Sequence, residues 1–534
     1  MMRTLPTLLY GSALYHLTLW GRRPRGLALR LPEAWPGDRD VGLALQSGVF
    51  RFLGESVESR TPPWRAERPA AWLADLHRFG WLADLAAAEG AAAARAWTAE
   101  WVAQFDIYEP LAWRADVIGD RLFAWLEHFD LIAGGDSEAD DAWRRVLIDC
   151  FARQARHLAR VAGREGTGLA RLRALRGLVA AAAALDSERR LIRALRRLLR
   201  EIEAQILPDG GHRCRSPKAQ LVALHVFVDA RAVLAAADYE VPAALQQAID
   251  RTAPLLRFFR HGDGRFALFN GAVEEDAALI ERVLARSDAK GRAPASAPYL
   301  GFERQQAGGT VILVDCGKPP AEGFAAEAHA GTLAFEMSHA RERIIVNCGA
   351  HPGSNAGWRA ATRASAAHST LVVADTNSTE IRADGGLGPG PETVTCERVE
   401  EDGSQLVAAS HDGYRRNFGL THARQLFLAA GGEDLRGEDR LTGEAGRGFA
   451  IRFHLHPMVD AALLAEGNAV LLRLPGGMGW RLRAEGAVLS LGESIYLGAG
   501  APRKTQQVVL DGHVGTNGAV VRWALRRESK AAAE

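Results

Sequence analysis

The stretch Ala328 to Leu371 decides how this chain is read: it opens on AHAGTLAFEMS (328–338), passes through IIVNCG (344–349) and ends in WRAATRASAAHSTL (358–371). The first two pieces are short, β-branched or aromatic runs of strand length. His329 and His368, with Arg359 and Arg363, fall within this stretch. Two imidazoles and two guanidiniums are therefore expected to meet on neighbouring strands, as a site for an anionic substrate.

Working outward, the hydrophobic period changes once along the chain. From about Trp64 to about Phe259 apolar residues recur at helical spacing, as in DRLFAWLEHFDLIAG (120–134), with Ala, Leu, Arg and Glu dominating. Breaks such as IYEPLAW, AGREGTG and LPDGGHR separate helices into antiparallel hairpins. From about Gly262 onward the pattern turns to short alternating or β-branched runs, among them GTVILVDCG, STLVVAD, HARQLFLAA and QQVVLDG. Helix-length crossovers are missing there, so the strands are expected to form an antiparallel sandwich rather than a parallel sheet. The expected organisation is α+β and multidomain: an N-terminal helical arm over 1–60, an all-helical domain over 61–260 and a β-sandwich over 261–534.

Bulk properties narrow the function classes. At 534 residues the chain exceeds a single core. Its 65 basic and 64 acidic residues leave a formal charge of +1, so no global field draws it to nucleic acid. Five cysteines, Cys150, Cys214, Cys316, Cys348 and Cys396, are widely spaced and odd in number, which argues against a disulfide framework or a thiolate zinc site. The N-terminal MMRTLPTLLYGSALYHLTLWGRRPRG has an apolar run interrupted by Tyr10, Tyr15 and His16 and followed by Arg22, Arg23 and Arg25, unlike a cleavable leader. It reads as an amphipathic helix of the mature protein, with an anchor lying on a membrane surface as the competing reading. No later segment is expected to span a bilayer. A cytoplasmic location is favoured by the lack of an evident leader, with the periplasm or cell envelope as the alternative.

The order helices then sandwich, together with AHAGTLAFEMS, IIVNCG, WRAATRASAAHSTLVVAD, and HDGY followed by THARQLFL, resembles the heparinase II/III-like family of polysaccharide lyases. LPDGGHRCRSP (207–217) and LRFFRHGDGRFALFNG (256–271) are similar to family landmarks in the helical half. The resemblance implies an incomplete α/α toroid packed on an antiparallel sandwich, with an acidic glycan held in the cleft between them. It also implies β-elimination: donors neutralise a uronate carboxylate, a base removes the neighbouring proton, and an acid protonates the leaving oxygen.

The match departs from the family pattern at the positions that matter most. Where relatives carry an Asn-His pair this chain has Gly166, Thr167, Gly168 and Leu169; where they carry a Tyr-His pair it has Ala219 and Gln220. Glu327 stands where another catalytic histidine is found. A rearranged set therefore remains as the candidate machinery: Tyr414 in HDGYRRN, His212 beside Asp209, Arg213 and Arg215 in the Gly-Gly loop, and Glu327. The competing readings are an ordinary interhelical turn capped by Asp209, and a strand-end tyrosine with a wet hydroxyl.

Arg215, Trp358, Arg359 and Arg363 are candidates for holding sugar, since an indole stacks on a pyranose and a guanidinium grips a carboxylate in bidentate fashion. Weak salt bridges to acids such as Asp375 or Glu380 are the alternative for the two later arginines. The resemblance further implies a structural zinc held by His329 and His368, but Asn347 takes the place of the third, aspartate ligand. An amide is a poor zinc ligand, so the site is weakened unless Glu327 or Cys348 completes it. No cofactor is otherwise required. GGLGPGPE (385–392) lacks the context of a phosphate loop and reads as a flexible β-loop, and ERRLIRALRRLLREIE (188–203) reads as a solvated helix face. Two functions stay open: a lyase acting on an acidic polysaccharide, and a glycan-binding protein that has lost the chemistry.

Overall fold

A computed structural model describes residues 5–21, 24–164, 168–353, 355–465 and 467–528. Arg3, Arg22, Arg23, Gly166 and Thr167 lie outside the described residues. The chain forms two compact units: Met1–Gln205 with His225–Ile249, and Ile206–Leu224 with Asp250–Glu534. The LPDGGHRCRSP loop, read from sequence as part of the helical half, therefore groups with the sheets.

The first unit is helical, built on amphipathic pieces whose apolar faces turn inward. Helix Glu188–Gln205 buries Leu191, Ala194, Leu195, Leu198 and Ile202 at i, i+3, i+4 spacing and leaves its arginines largely outside. Trp72, Trp101, Trp113 and Trp125 are fully buried, and Arg121 sits among them. Its guanidinium lies 4.1 Å from the Trp101 ring centroid and donates to Gln154 Oε1, His77 O and Ala112 O at 2.8–2.9 Å. A buried cation without a carboxylate is tolerable here because its donors are hydrogen-bonded. The arm over 1–60 holds two short helices, Leu5–Tyr10 and Ala13–Leu19, a third, Arg39–Gln46, and a hairpin, Val49–Phe52 with Glu55–Glu58, which the helical reading did not foresee.

The second unit is dominated by two antiparallel sheets. One runs, in spatial order, Asp460–Leu463, Ala469–Arg473, Gly479–Glu485, Ala519–Arg527, Asp434–Thr442, Thr421–Leu428, Ser404–His411 and Val394–Glu401. The other runs Val488–Tyr496, Arg503–His513, Gly448–Leu455, Glu342–Val346, Phe335–His339, Thr310–Asp315, Phe302–Ala307 and Ser296–Ala297, with Leu371–Val373 pairing on Gly448–Leu455. Inward residues of both, including Ile312, Phe335, Leu426, Leu428, Phe453 and Trp523, form one core. This is the expected sandwich. Three helices interrupt it among the described residues, Ala277–Ser287, Ala356–Arg363 and the single turn Arg415–Phe418, so residues 261–534 are not purely strand.

Contrary to the sequence expectation, one later segment does meet the length and composition of a membrane span: helix Pro217–Ala236, with mean hydropathy 1.5. Two thirds of it is buried inside the protein, as in a core helix. All five cysteines are free.

Candidate functional site

The two histidines do meet, but on loops and a helix end rather than on neighbouring strands. His329 lies in the segment leading into strand Phe335–His339, and His368 follows the short 3₁₀ turn Ser365–Ala367. His329 Nδ1 and His368 Nε2 are 3.0 Å apart. The partners of the remaining nitrogens fix the tautomers. His329 Nε2 accepts from the Gly271 N–H at 3.1 Å, and His368 Nδ1 donates to the Ala364 carbonyl at 2.8 Å. His329 Nδ1–H is thus the donor to His368 Nε2, and both rings are neutral. Burial is the main cause of their low pKa values: His329 is held well below the usual range, helped by His368, Arg363 and Arg359, and His368 is pulled down to about 4. Gly271 is required at its place, with φ +76° and a hypothetical Cβ only 2.8 Å from that of Glu327.

Around this pair, helix Ala356–Arg363 is capped by the Asn355 side chain, which accepts from Trp358 N–H. Arg359 and Arg363 sit one turn apart, yet their fates differ. Arg359 reaches Glu327 at 2.9 and 3.1 Å and also donates to the Ala326 carbonyl, with its side chain 40% exposed and that of Glu327 62% exposed. Arg363 is buried, donating through Nε to Ala328 O at 2.7 Å and through Nη1 to Gly385 O at 2.5 Å, while its buried Nη2 has no hydrogen-bond partner among the described residues. The alternative of an exposed salt bridge describes Arg359, although its acid is Glu327 and not Asp375 or Glu380. Trp358 is half-buried, its ring parallel to that of His351 at 6.4 Å. GGLGPGPE is a structured loop rather than a loose one, tied by Gly388 N–H to Glu380 O and Glu380 N–H to Pro389 O and anchored to Arg363 through Gly385.

The other candidates are buried: Tyr414, His212 and Arg215 all lie inside the second unit. Tyr414 is fully buried in the sandwich core and its hydroxyl donates to Leu371 O at 2.9 Å, so the wet strand-end phenol is corrected. Burial raises its pKa far above the ordinary value, the opposite of what a base needs. His212 is likewise fully buried, its Nδ1 accepting from Cys214 N–H at 3.1 Å and its pKa lowered to about 3 by burial and by Arg213. Arg215, in the left-handed region at φ 54°, spends its guanidinium on Leu300 O, Lys318 O, Gly301 O and Asp315 Oδ1 at 2.5–3.0 Å, with Phe302 beneath it. Those bonds make it a clamp between the Gly-Gly loop and the first strands of the sandwich. Asp209 caps its turn as the competing reading held, accepting from Gly211 and Leu300 N–H groups. Of the seven candidates for catalysis or sugar binding, Glu327, Trp358 and Arg359 retain exposed surface and cluster together.

Several residues that organise this region were not singled out from sequence. Gln220 accepts from His212 N–H at 2.8 Å and donates to Gly210 O and Thr252 O at 2.8 and 3.0 Å, lacing the Gly-Gly turn shut. Asn270 accepts from His329 N–H and donates to Arg215 O. Glu336, fully buried, accepts from Leu268 N–H and from Asn347 N–H and Nδ2–H at 2.9–3.1 Å, and pairs with His261 Nε2 at 3.0 Å. No signal in a single sequence marks the first two; the parity of Glu336 within FEMSH does not either, since that strand is buried on both sides.

These bonds bear directly on the metal. Asn347 uses its Nδ2 on Glu336 and its Oδ1 on Ser369 N–H at 3.0 Å, so neither end is turned to a cation. Glu327 is held by Arg359, and the Cys348 thiol is buried at 3.6 Å from His454 Nδ1 with its pKa pushed up to about 12. Among the described residues no group of three or more His, Cys, Asp or Glu side chains is placed to hold a metal. The donor set does not fit a tetrahedral zinc.

HDGY and THARQLFL also serve structure. Arg424 donates to Asp439 Oδ1 at 2.7 Å and reaches across to Leu333 O and Ser369 O at 2.8 and 2.9 Å, while His422 Nε2 and Trp523 Nε1 bond the same carboxylate. These charge-assisted bonds hold the Asp439 carboxyl far below the usual range despite burial. The network pins the loops that carry His329 and His368 to the opposite sheet.

Comparison with known proteins places this architecture. The heparinase II/III N-terminus model matches residues 54–289, and the heparinase II/III-like C-terminal model matches residues 289–524. A crystal structure of heparinase III superposes with TM-score 0.74 at 15% identity, covering 98% of this chain and 89% of that one. A mutant of the heparan sulfate lyase HepC from Pedobacter heparinus gives TM-score 0.65 at 18% identity, with the same coverages. FtsZ-localized protein C of Caulobacter vibrioides is 33% identical over 543 residues, 97% of this chain and 93% of that protein. The chain is a member of the heparinase II/III-like family.

Proposed function

We propose that this protein is a non-eliminating member of the family that recognises an acidic glycan. The observation that carries the reading is the sequestration of two of the three proton-transfer candidates: Tyr414 and His212 are fully buried and hydrogen-bonded, while the third, Glu327, is engaged by Arg359. What stays accessible suits binding. An exposed pair such as Glu327–Arg359 contributes about 0–1 kcal/mol, so a sugar carboxylate displaces Glu327 from the Arg359 fork at little cost. Trp358 beside it offers a face for the pyranose ring.

The test is a panel of acidic polysaccharides followed in parallel by calorimetric binding and by the ultraviolet absorbance of unsaturated uronate ends. Binding that weakens in Arg359→Ala, with no new absorbance, is the expected result. Growth of absorbance would restore the lyase reading, and absence of binding across the panel would remove glycan recognition altogether.

The full-length relative favours a second reading of the partner. A chain 33% identical over nearly its whole length to an FtsZ-localized protein is proposed to associate with the division protein FtsZ. Co-sedimentation with FtsZ polymers checks it: enrichment in the pellet is expected, and recovery in the supernatant at all FtsZ concentrations would sink it.

A further inference from the structure

We infer that the N-terminal arm docks the first unit onto the surface of an anionic lipid bilayer. The arm exposes apolar side chains that a water-facing surface does not need: Leu8 and Leu9 are 53% and 57% exposed, Leu14 and Leu17 are 77% and 64%, and Trp20 is 57%. Leu14 and Leu17 are one turn apart on helix Ala13–Leu19, so they share a face. That helix is not loose. Its other face buries Tyr15 and Leu19, the Tyr15 hydroxyl bonds His157 Nδ1 at 2.6 Å, and Arg160 bonds Thr18 Oγ1 and O at 2.6 and 2.8 Å. The leucines are therefore held outward by a fixed scaffold.

The end of the same helix borders a groove of about 1290 Å³ into which Thr18 and Trp20 project. Arg25, Arg156, Arg160, Arg190, Arg193 and Arg197 line it, against one acid, Asp186. Arg190 and Arg193 belong to helix Glu188–Gln205, whose interleaved charges suggested only a solvated face. Three of the lining arginines are spent on carbonyls or a hydroxyl: Arg156 on Leu19 O, Arg160 on Thr18, and Arg197 on Ala159 O. Burial, and then the Arg190, Arg153 and Arg160 charges, lower the Arg156 pKa against an opposing pull from Asp149. Apolar side chains plus an aromatic at the level of a basic groove form the pattern of an interfacial anchor: the leucines enter the acyl boundary while the arginines meet phosphate headgroups. The chain as a whole is near neutral, at +1, so the attraction would come from this groove and not from the net charge. A polyanion alone would use the groove but leave the leucines idle. The bilayer is the occupant that uses both.

The full chain is mixed with vesicles of phosphatidylcholine alone or of phosphatidylcholine with phosphatidylglycerol, and bound protein is measured by sedimentation. The wild type is expected to prefer the anionic vesicles and to release as salt rises. Arg190→Gln and Arg193→Gln should each weaken that binding about fivefold. Leu14→Gln with Leu17→Gln should weaken it by about tenfold or more, with an unchanged melting temperature because neither leucine is packed. Equal binding by the leucine variant overturns the proposal. So does a wild type that stays in solution, or an oligonucleotide bound independently of the leucines while vesicles are ignored. A dimer that the leucine variant splits would name a second copy as the occupant and would also overturn it.

Discussion

Replacing Tyr414 by Phe separates a catalytic phenol from a structural one, because the two roles predict opposite patterns. In this structure the hydroxyl is fully buried and donates to Leu371 O at 2.9 Å, next to the strand Leu371–Val373 that pairs with Gly448–Leu455. Removing the donor leaves a buried carbonyl short of a partner, a loss of about 1–2 kcal/mol. The ring's own packing is retained, so the cost ends there. Tyr414→Ala removes the ring as well, in a core that holds Leu420, Leu371 and Val373, and should cost about 3–5 kcal/mol. Urea unfolding monitored by tryptophan fluorescence reads both, since Trp480 and Trp523 lie in the same core. The midpoint should move while the slope stays constant. The ultraviolet assay on acidic polysaccharides should give no signal for wild type or variant. If Tyr414→Phe left the midpoint unmoved and abolished an elimination activity present in the wild type, the phenol would face substrate and the reasoning would be refuted.

Acid should destabilise the second unit through its neutral histidines. His368 is held at about 4 against an unfolded value near 6.5, so its contribution is complete above 6.5, falls as the pH drops, and levels off below about 4. The gap is worth about 3 kcal/mol for this one ring, and a pH series of urea midpoints checks the direction and the window. Arg215→Ala should cost about 3 kcal/mol or more, since it strands the buried Asp315 carboxylate and removes a web of donors that no neighbour replaces. Glu327→Ala should change stability by less than about 1 kcal/mol and tighten binding of an acidic glycan by freeing Arg359, a combination that calorimetry and melting resolve together. Chelation followed by metal analysis should leave the melting temperature of the purified protein unchanged, whereas a drop would place a metal among His329, His368 and their neighbours.

The fold was legible because a hydrophobic period is a property of whole segments: the change from 3.6 to 2 after Phe259 survives any one misplaced residue. The proximity of His329 and His368 was legible through their motifs, but their direct ring-to-ring bond was not, since it depends on Gly271 and Ala364 arriving at the outer nitrogens. Tyr414 misled because its sequence neighbours are polar while its direction is set by tertiary packing. Arg215 misled for the same reason, flanked by Arg213 and Ser216 yet turned inward by a left-handed backbone. One signal was available and unused: in THARQLFL, Arg424 and His422 share the parity of Leu426 and Leu428, which marks them as inward-facing.

That parity explains why THARQLFL, one of the motifs that carry the family resemblance, says little about activity. Arg424 lies on one sheet and donates to the Leu333 and Ser369 carbonyls on the loops of the other, while Asp439, His422 and Trp523 satisfy the rest of the cluster. A buried cation and carboxylate of this kind are costly unless every donor and acceptor is matched, so the sandwich and the motif hold each other in place whatever chemistry the loops carry. Glu336, with Asn347 and His261, does the same inside one sheet. Such clusters serve folding whether or not the loops around them carry proton-transfer groups. The same holds at the Gly-Gly turn, where Gln220 closes the loop around a buried His212 with three matched hydrogen bonds, so likeness of fold there reports on packing and not on chemistry.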